Sequence, residues 1–257
     1  VEHNVNWALD GRVVLVTGGS GGIGAALIER LVRSGAKPVN VDVQLAKTEL
    51  APFYQGDVTD EAGFEAIVAQ VEREVGPIDA LVHAGAIQGT IDSMVNIPVA
   101  DWRQVLDINT TGTFITNKVV ARRMVERGKG SIVNFASSAG IKLYIGQGPY
   151  NISKAAVPAI TKQLAQEVHA QGVRVNCIDP GGILTPMVRD LGYRDLTGMS
   201  AYAKQFQQVI REEIETGVLS EPEEVLDLIL FLVSDASWLI NGQFVRNSQK
   251  NLVFFEQ

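Results

Sequence analysis

A phenol and an amine one helical turn apart are the first groups in this sequence that could move a proton. Tyr150 and Lys154 stand four residues apart, in a stretch from Tyr150 to Ala170 that reads as a helix. At that spacing both project from one face. A phenol with its ordinary pKa of about 10 is a poor proton shuttle at neutral pH. A neighbouring ammonium favours the phenolate and is expected to lower that pKa, toward a range useful for trading a proton with an alcohol or carbonyl oxygen. The pair alone is a common surface pattern, so its company matters. Ser137 lies thirteen residues before Tyr150, at the end of the expected strand Ser131 to Phe135. A hydroxyl there can hold a substrate oxygen beside the phenol. Asn109 falls in an expected long helix, Val99 to Arg127, where it reads otherwise as an ordinary surface amide.

A second constellation has the chemistry to hold a dinucleotide. The apolar run Val13 to Val16 predicts a buried strand, and Ala25 to Val32 predicts a helix. Between them lies Thr17-Gly18-Gly19-Ser20-Gly21-Gly22-Ile23-Gly24. It fits G-x-G-x-x-G at Gly19, Gly21 and Gly24, and T-G-x-x-x-G-x-G at Thr17, Gly18, Gly22 and Gly24. Glycines let the backbone turn sharply and approach a pyrophosphate without a Cβ in the way. The helix N-terminus then offers N–H groups and a positive dipole end to the anion. Ser20 and Ile23 belong to the same expected cradle. Asp42 ends the next strand, where a carboxylate accepts both hydroxyls of an adenosine ribose and repels a 2′-phosphate. No Arg or Lys occurs in the glycine turn, or after Asp42 until Lys47. NAD is therefore favoured over NADP. Asp57, with Val58 beside it, follows the expected third strand; it either bonds the adenine amino group or caps the next helix.

Strands and helices alternate along most of the chain. Pro38 to Val43 and Ile78 to Val82 read as strands. Phe64, Ile67, Val68, Val71 and Val75 recur at helical spacing until Gly76-Pro77 stops them. Val173 to Ile178 predicts a strand, Pro222 to Leu232 a helix with Pro at its start, and Phe244-Val245 a last edge strand. Repeated βα units with near-continuous apolar strands imply an α/β, doubly wound parallel sheet, the Rossmann arrangement, with about seven strands and helices on both faces. No boundary divides residues 1–257, which read as one domain. Residues 186–220 read as a lid over the site or as two solvated surface helices. Pro158, inside the helix after Lys154, removes the bond to the Lys154 carbonyl and predicts a bend there.

Composition narrows the partners. The 257 residues are 46% hydrophobic and 20% charged, with a net charge of −7. That balance argues against nucleic acid or an anionic membrane as partner. The single cysteine, Cys177, excludes an internal disulfide and any multi-cysteine metal site, and its strand position suggests a packed thiol. No metal site is expected. No run is long enough for a membrane span and no leader is evident, so a cytoplasmic protein is the expectation.

Taken together these residues resemble the short-chain dehydrogenase/reductase family in its compact form, over nearly the whole chain. The glycine motif at 17–24, Asn109, Ser137, Tyr150 and Lys154 occur in family order and at family-like spacing. The resemblance implies an NAD(P)-dependent alcohol dehydrogenase or ketone reductase in which Tyr150 donates or accepts the proton and Ser137 orients the substrate oxygen. Lys154 would bind the nicotinamide ribose and tune Tyr150, and Asn109 would hold a water in a relay to Lys154. Pro180-Gly181-Gly182-Ile183-Leu184-Thr185 is similar to the family's segment after the sixth strand, where Ile183 and Thr185 would fix the carboxamide. Ser138 rivals Ser137, and the thirteen-residue spacing favours Ser137. A homo-oligomer, tetramer or dimer, is implied too.

The chain departs from the family at His83-Ala84-Gly85-Ala86, where two asparagines are usual. Ala84 still lets the backbone pass close to the adenosine, and His83 reads as a packed strand-end histidine rather than a titrating contact. The C-terminal run Asn241 to Ser248 keeps a short strand but replaces a usual aspartate-glycine pair, and the apolar Leu252 to Phe255 follows. Candidates for the substrate lining are His83, Ser138, Ala139, Leu143, Tyr144, Gly181, Met187, Leu191 and Tyr193. They suggest a neutral, cyclic or medium-sized secondary alcohol, without a paired-arginine clamp for an acid. Lys142, Arg189 and Arg194 read as solvated cations. A dihydrodiol oxidised toward an aromatic product is the nearest rival substrate. Two other functions stay open on this fold: a non-catalytic NAD-binding regulator, and an enzyme using tightly held NAD for epimerisation or dehydration.

Overall fold

In the computed structural model, seven parallel strands run in the order β3-β2-β1-β4-β5-β6-β7. The structure describes residues 6–46 and 48–247; Lys47, Ser248 and the 252–255 tail lie outside it. The strands are β1 (Val13–Thr17), β2 (Lys37–Asp42), β3 (Phe53–Gln55), β4 (Ile78–His83), β5 (Gly130–Phe135), β6 (Val173–Asp179) and β7 (Phe244–Arg246). The chain winds outward through β2 and β3, returns to β4 on the other side of β1, and continues to β7. The strand order therefore reverses between β1 and β4, and ligands of open α/β sheets bind outside the strand ends at that reversal.

Both faces are buried, which is why the strands read as unbroken apolar runs. Val13, Leu15, Leu81, Ile132 and Val175 point to one face. There they meet Phe64 and Val68 of α2 (Glu61–Glu74), Ile115 and Val120 of α4 (Gly112–Arg127) and Ala165 of α6 (Gly148–Val168). The alternate residues Val14, Val16, Val82 and Val133 point to the other face, against Leu27 and Leu31 of α1 (Gly22–Arg33) and Ile229 and Leu230 of α9 (Glu223–Val233). Each such buried side chain contributes about 1.5–3 kcal/mol. Among the described residues no helix is long and apolar enough to cross a membrane.

Two elements differ from the sequence expectation. The long helix from Val99 is α3 (Val99–Leu106), then a π-turn (Asp107–Thr111), then α4. The extra residue of the π-turn rotates Asn109 inward, so it is buried to 1% exposure rather than solvated. The short α5 (Ala139–Lys142) follows Ser138 and carries no sequence signal of its own. Through Pro158, α6 continues without interruption. The Lys154 carbonyl that proline leaves unbonded faces α5, where a Cβ on Gly140 would stand 2.8 Å from that oxygen and 2.6 Å from the Ala155 nitrogen. Residues 186–220 form α7 (Pro186–Tyr193) and α8 (Ala201–Thr216).

Candidate active site

The glycine turn is shaped by backbone crowding. Gly18 has φ +72°, and a Cβ on it would lie 2.6 Å from the Gly85 nitrogen beyond β4. A Cβ on Gly22 would lie 2.9 Å from Thr185 and from Pro186. The first turn of α1 has no side-chain cap, so its leading N–H groups, at Gly22, Ile23 and Gly24, remain available to an anion. Crowding and an uncapped N-terminus together fit a pyrophosphate cradle. Ser20, expected to touch the cofactor, is instead turned into the protein. Its hydroxyl donates to the Gln44 carbonyl at 3.1 Å and accepts from Asn40 Nδ2 at 3.2 Å, leaving it 2% exposed.

Asp42 is held by the same brace. Its Oδ2 accepts from the Ser20 N–H at 3.0 Å and its Oδ1 from the Gln44 N–H at 2.9 Å. Each oxygen keeps a lone pair for a hydroxyl donor, so the carboxylate is preset at the β2 end. Asp57 does not cap α2; that is Asp60, which accepts from the Gly63 N–H. Asp57 takes both the N–H and the hydroxyl of Thr59 on one oxygen, at 2.8 Å each. Val58 packs under α4, where a Cβ on Gly112 would meet it at 2.7 Å. Ala84 donates its N–H to the Thr17 carbonyl at 3.1 Å, tying the two turns together.

At the ends of β5 and β6 the structure brings Ser137, Tyr150 and Lys154 together. Burial, with the nearby Asp179 carboxylate, pushes the Tyr150 phenol up to about 12 against the opposing pull of the neighbouring Ser137. The expected lowering by Lys154 is thus overturned in the free protein. Lys154 Nζ lies 5.9 Å from the centre of the Tyr150 ring and donates to the Phe135 carbonyl at 2.8 Å. Burial brings its own pKa down to about 8. Asn109 is spent on architecture: it donates to the Ile87 carbonyl and to Ser153 Oγ at 2.9 and 3.0 Å, and accepts from the Ile87 N–H at 2.9 Å. Its side chain clamps the loop after β4 to the catalytic helix. One oxygen lone pair is all it has left for a water.

Beyond β6, Gly181 adopts φ +79° and donates to Asp179 Oδ1 at 3.0 Å, carrying the chain away from Pro180. Ile183 pairs with Ser220, and the Thr185 hydroxyl caps α7 by accepting from the Val188 N–H at 3.3 Å. That leaves the Thr185 hydroxyl hydrogen, and the segment, against Gly22 of the glycine turn.

The remaining expected lining residues are divided. Met187, Leu143, Tyr144 and Tyr193 are exposed, and Ser138 and Gly181 half-buried. His83 is withdrawn from the cleft: its Nδ1 lies 2.8 Å from Thr17 Oγ1 and 3.2 Å from Thr116 Oγ1. Burial and the Lys154 charge push its pKa down to about 3, and its Nε2 is buried without a partner. Cys177 is a packed thiol, raised by burial to about 11. Leu191 turns away toward Ile91 and Ala203. These line a cavity of about 300 Å³ together with Asp101, Gln104 and Phe206, and no catalytic group reaches it. Arg194 is not simply solvated; it pairs with Asp190 at 3.3 Å while its Nε is buried. Sequence reasoning missed Gln88 and Gln147, whose side chains bond at 3.0 Å. The available signal was that Gln147 stands three residues before Tyr150.

Known proteins resemble this chain in sequence and fold. The family model for short chain dehydrogenase matches residues 12–195. A 2,5-dichloro-2,5-cyclohexadiene-1,4-diol dehydrogenase of Sphingobium indicum is 34% identical over 243 residues, covering 91% of this chain and 94% of its own. A D-threitol dehydrogenase of Mycolicibacterium smegmatis is 34% identical over 248 residues, covering 92% and 91%. The crystal structure of levodione reductase superposes with a TM-score of 0.84 at 29% identity, covering 95% of this chain and 99% of that one.

Proposed function

The chain belongs to the short-chain dehydrogenase/reductase family, and from that premise we propose an NAD-dependent oxidoreductase that interconverts a small, neutral secondary alcohol and its ketone. One observation carries the reading: Ser137 lies close enough to the buried Tyr150 phenol to favour its phenolate, beside the buried Lys154 amine 5.9 Å from the ring centre, on the strand ends next to the glycine turn. Relatives named for a ring diol, an open-chain polyol and a dione support an alcohol–ketone chemistry. The bound nicotinamide would supply the hydride or accept it; the protein supplies orientation and the proton.

Gly18, Gly22, Ile23 and Gly24 would hold the pyrophosphate, Asp42 the adenosine ribose, Asp57, Val58 and Ala84 the adenosine end, and Pro180, Gly181, Ile183 and Thr185 the carboxamide. The preset Asp42 carboxylate supports NAD over NADP, since a 2′-phosphate would meet its charge. Tyr150, held protonated by burial, gives its proton to the forming alkoxide in reduction and takes it back in oxidation. Ser137 holds the reacting oxygen against it. Lys154 is a cation below about pH 8 and stabilises the phenolate whenever it forms. Asn109 keeps the helix in place. Exposed Phe114 on α4 and Ile152 on α6 support a homo-oligomer, which light scattering would test.

The test is nicotinamide absorbance with a panel of secondary alcohols and ketones, run in both directions and with both NAD and NADP. Turnover with NAD that Tyr150→Phe abolishes is expected. Full turnover by that variant would reject the mechanism, and preference for NADP would reject the role of Asp42.

A further inference from the structure

The cavity lined by Leu191 takes no part in the proposed chemistry, and it lies between two separately braced walls. One wall is the loop after β4 together with α3. There Thr90 Oγ1 donates to Asp101 Oδ2, and Gly89, at φ +74°, lets α3 approach where a Cβ would collide with Val105. The other wall is α7 and α8 with the turn between them. There Gln207 Nε2 donates to the Arg194 carbonyl at 2.7 Å, and Arg211 Nε to the Gly192 carbonyl at 3.2 Å. The walls meet where Ile91 packs against Leu191 and Ala203. Beyond that contact they part around about 300 Å³, a volume at the small end of ligand sites. Gln104 and Met199 line the cavity and are exposed, so it opens to solvent.

The lining has the character of a small-molecule site, an apolar surface with a few polar groups. Leu191, Leu196, Met199 and Phe206 supply the apolar part. Two opposite charges line the same space without pairing with each other. Among the described residues Asp101 is in no ion pair, and its Oδ1 accepts no hydrogen bond. Arg194 pairs with Asp190 at 3.3 Å, but the Asp190 side chain is 68% exposed, and an exposed pair holds its members weakly. Each charge therefore needs a partner once a ligand displaces water from the cavity. An amine would pair with Asp101 and be repelled by Arg194. A carboxylate would pair with Arg194 and be repelled by Asp101. A zwitterion satisfies both.

We propose that this cavity binds a free amino acid with an apolar side chain, its ammonium on Asp101 and its carboxylate on Arg194. The side chain lies among Leu191, Leu196, Met199 and Phe206. A guanidinium suits the carboxylate end because its N–H groups match the two oxygens. The site is distinct from the catalytic one: Ser137, Tyr150 and Lys154 do not line it. Ile91 stands between the two, since its Cγ2 also lies 3.3 Å from where a Cβ on Gly146, ahead of α6, would stand. The bound amino acid joins α3 to the end of α7 and ties the two walls together. No hydride or proton is transferred, so the inference does not rest on the oxidoreductase reading.

The experiment is calorimetric titration of the protein, with and without saturating NADH, by L-leucine, L-phenylalanine, 3-phenylpropionate and 2-phenylethylamine. The last two keep the phenylalanine skeleton and carry one charge each. At least one amino acid should bind once per chain, about tenfold or more tighter than either single-charge analogue. NADH should leave that affinity within about twofold. Asp101→Asn should bring the amino acid to within about threefold of 3-phenylpropionate, and Arg194→Gln to within about threefold of 2-phenylethylamine. Thermal melts show which variants keep the fold, and either one alone carries the test. Met199→Trp, at an exposed lining position, fills the space without touching the main core and should weaken binding by about tenfold. It decides the matter should both charge variants unfold. No binding of either amino acid, affinity no better than that of the analogues, or affinity unchanged in the folded variants overturns the site. Competition with NADH would put the ligand in the cofactor cleft and overturns it as well.

Discussion

The cofactor side and the substrate side of this cleft are built on different physical terms. On the cofactor side, glycine backbone is closely approached and a carboxylate is held by backbone: Gly18 against the Gly85 backbone, Gly22 against the Thr185 side chain, and the Asp42 carboxylate tied to two N–H groups. Beneath it lie strands buried on both faces. On the substrate side, α7 and α8 rest on a small cluster of Ile91, Leu191 and Ala203, with Tyr193, Met199 and Tyr202 exposed. Little apolar burial there means lower local stability than in the strands.

The largest expected effect tests the groups where the two sides meet. Tyr150→Phe removes the proton carrier and keeps the ring. Turnover should fall by about 10²–10⁴-fold, while NADH affinity by fluorescence titration stays within about twofold. A tenfold loss of NADH affinity would mean that the hydroxyl belongs to the cofactor side. Gly18→Ala should break that side alone. Its Cβ would lie 2.6 Å from the Gly85 nitrogen at φ +72°, so the left-handed backbone costs about 1–2 kcal/mol before any backbone shift is counted. NADH affinity should drop by tenfold or more, together with the melting temperature. Leu191→Ala should act in the opposite way. Truncation in so small a cluster should lower the melting temperature by a few degrees at most, yet raise the substrate KM severalfold. Equal damage to fold and KM would show that α7 and α8 are part of the main core.

How far each side was legible in the sequence follows the same division. Backbone constraints leave few residue choices: a turn that admits no Cβ must be glycine, and a strand buried on both faces must be apolar. Gly18, Gly22 and Gly24 in the turn, and a parallel sheet of about seven strands, could be anticipated for that reason. Asp42 was legible because a strand end has one place for a carboxylate. Type and spacing do not say which way the Ser20 hydroxyl turns; Asn40 and Gln44 decide that. The alternative reading of Asn109 as a surface amide fails because the register shift of the π-turn leaves no compositional trace. The direction of the Tyr150 shift was missed because burial, a property of the whole fold, exceeds the pull of one lysine. Gln88 and Gln147 come from elements far apart in the chain, and no local pattern links them.

His83 lets the comparison be sharpened with pH. Its folded-state pKa of about 3 lies below the ordinary value of 6.5. Between those values the unfolded chain binds a proton that the folded protein excludes, so stability is lost as the pH falls through that window, by up to about 1.4 kcal/mol per pH unit. His83→Asn should flatten that slope in urea titrations between pH 6.5 and 4. An unchanged slope would assign the acid sensitivity to carboxylates elsewhere. Lys154 acts with the same sign at higher pH, with a folded pKa of about 8 against 10.5. Stability therefore gains from it as pH rises through that interval, because the unfolded state holds the proton longer.

The smallest effect concerns Pro158. An interior proline costs about 3 kcal/mol against alanine in an exposed helix, but here part of that cost is already absorbed. The carbonyl it leaves unbonded, on Lys154, faces α5 at the one place where Gly140 permits close approach. Pro158→Ala restores an N–H to that carbonyl, and the gain in stability should be about 1 kcal/mol rather than 3. The melting temperature should rise by a few degrees at most. Gly140→Ala in the same background distinguishes the two causes. Its Cβ must displace α5 from α6, and with it Ser137, so activity should fall even where stability has been gained. A full 3 kcal/mol gain from Pro158→Ala, with Gly140→Ala harmless, would mean that the proline is only a local defect. A small gain with Gly140→Ala damaging would mean that the missing bond is part of how α5 is seated beside the catalytic helix.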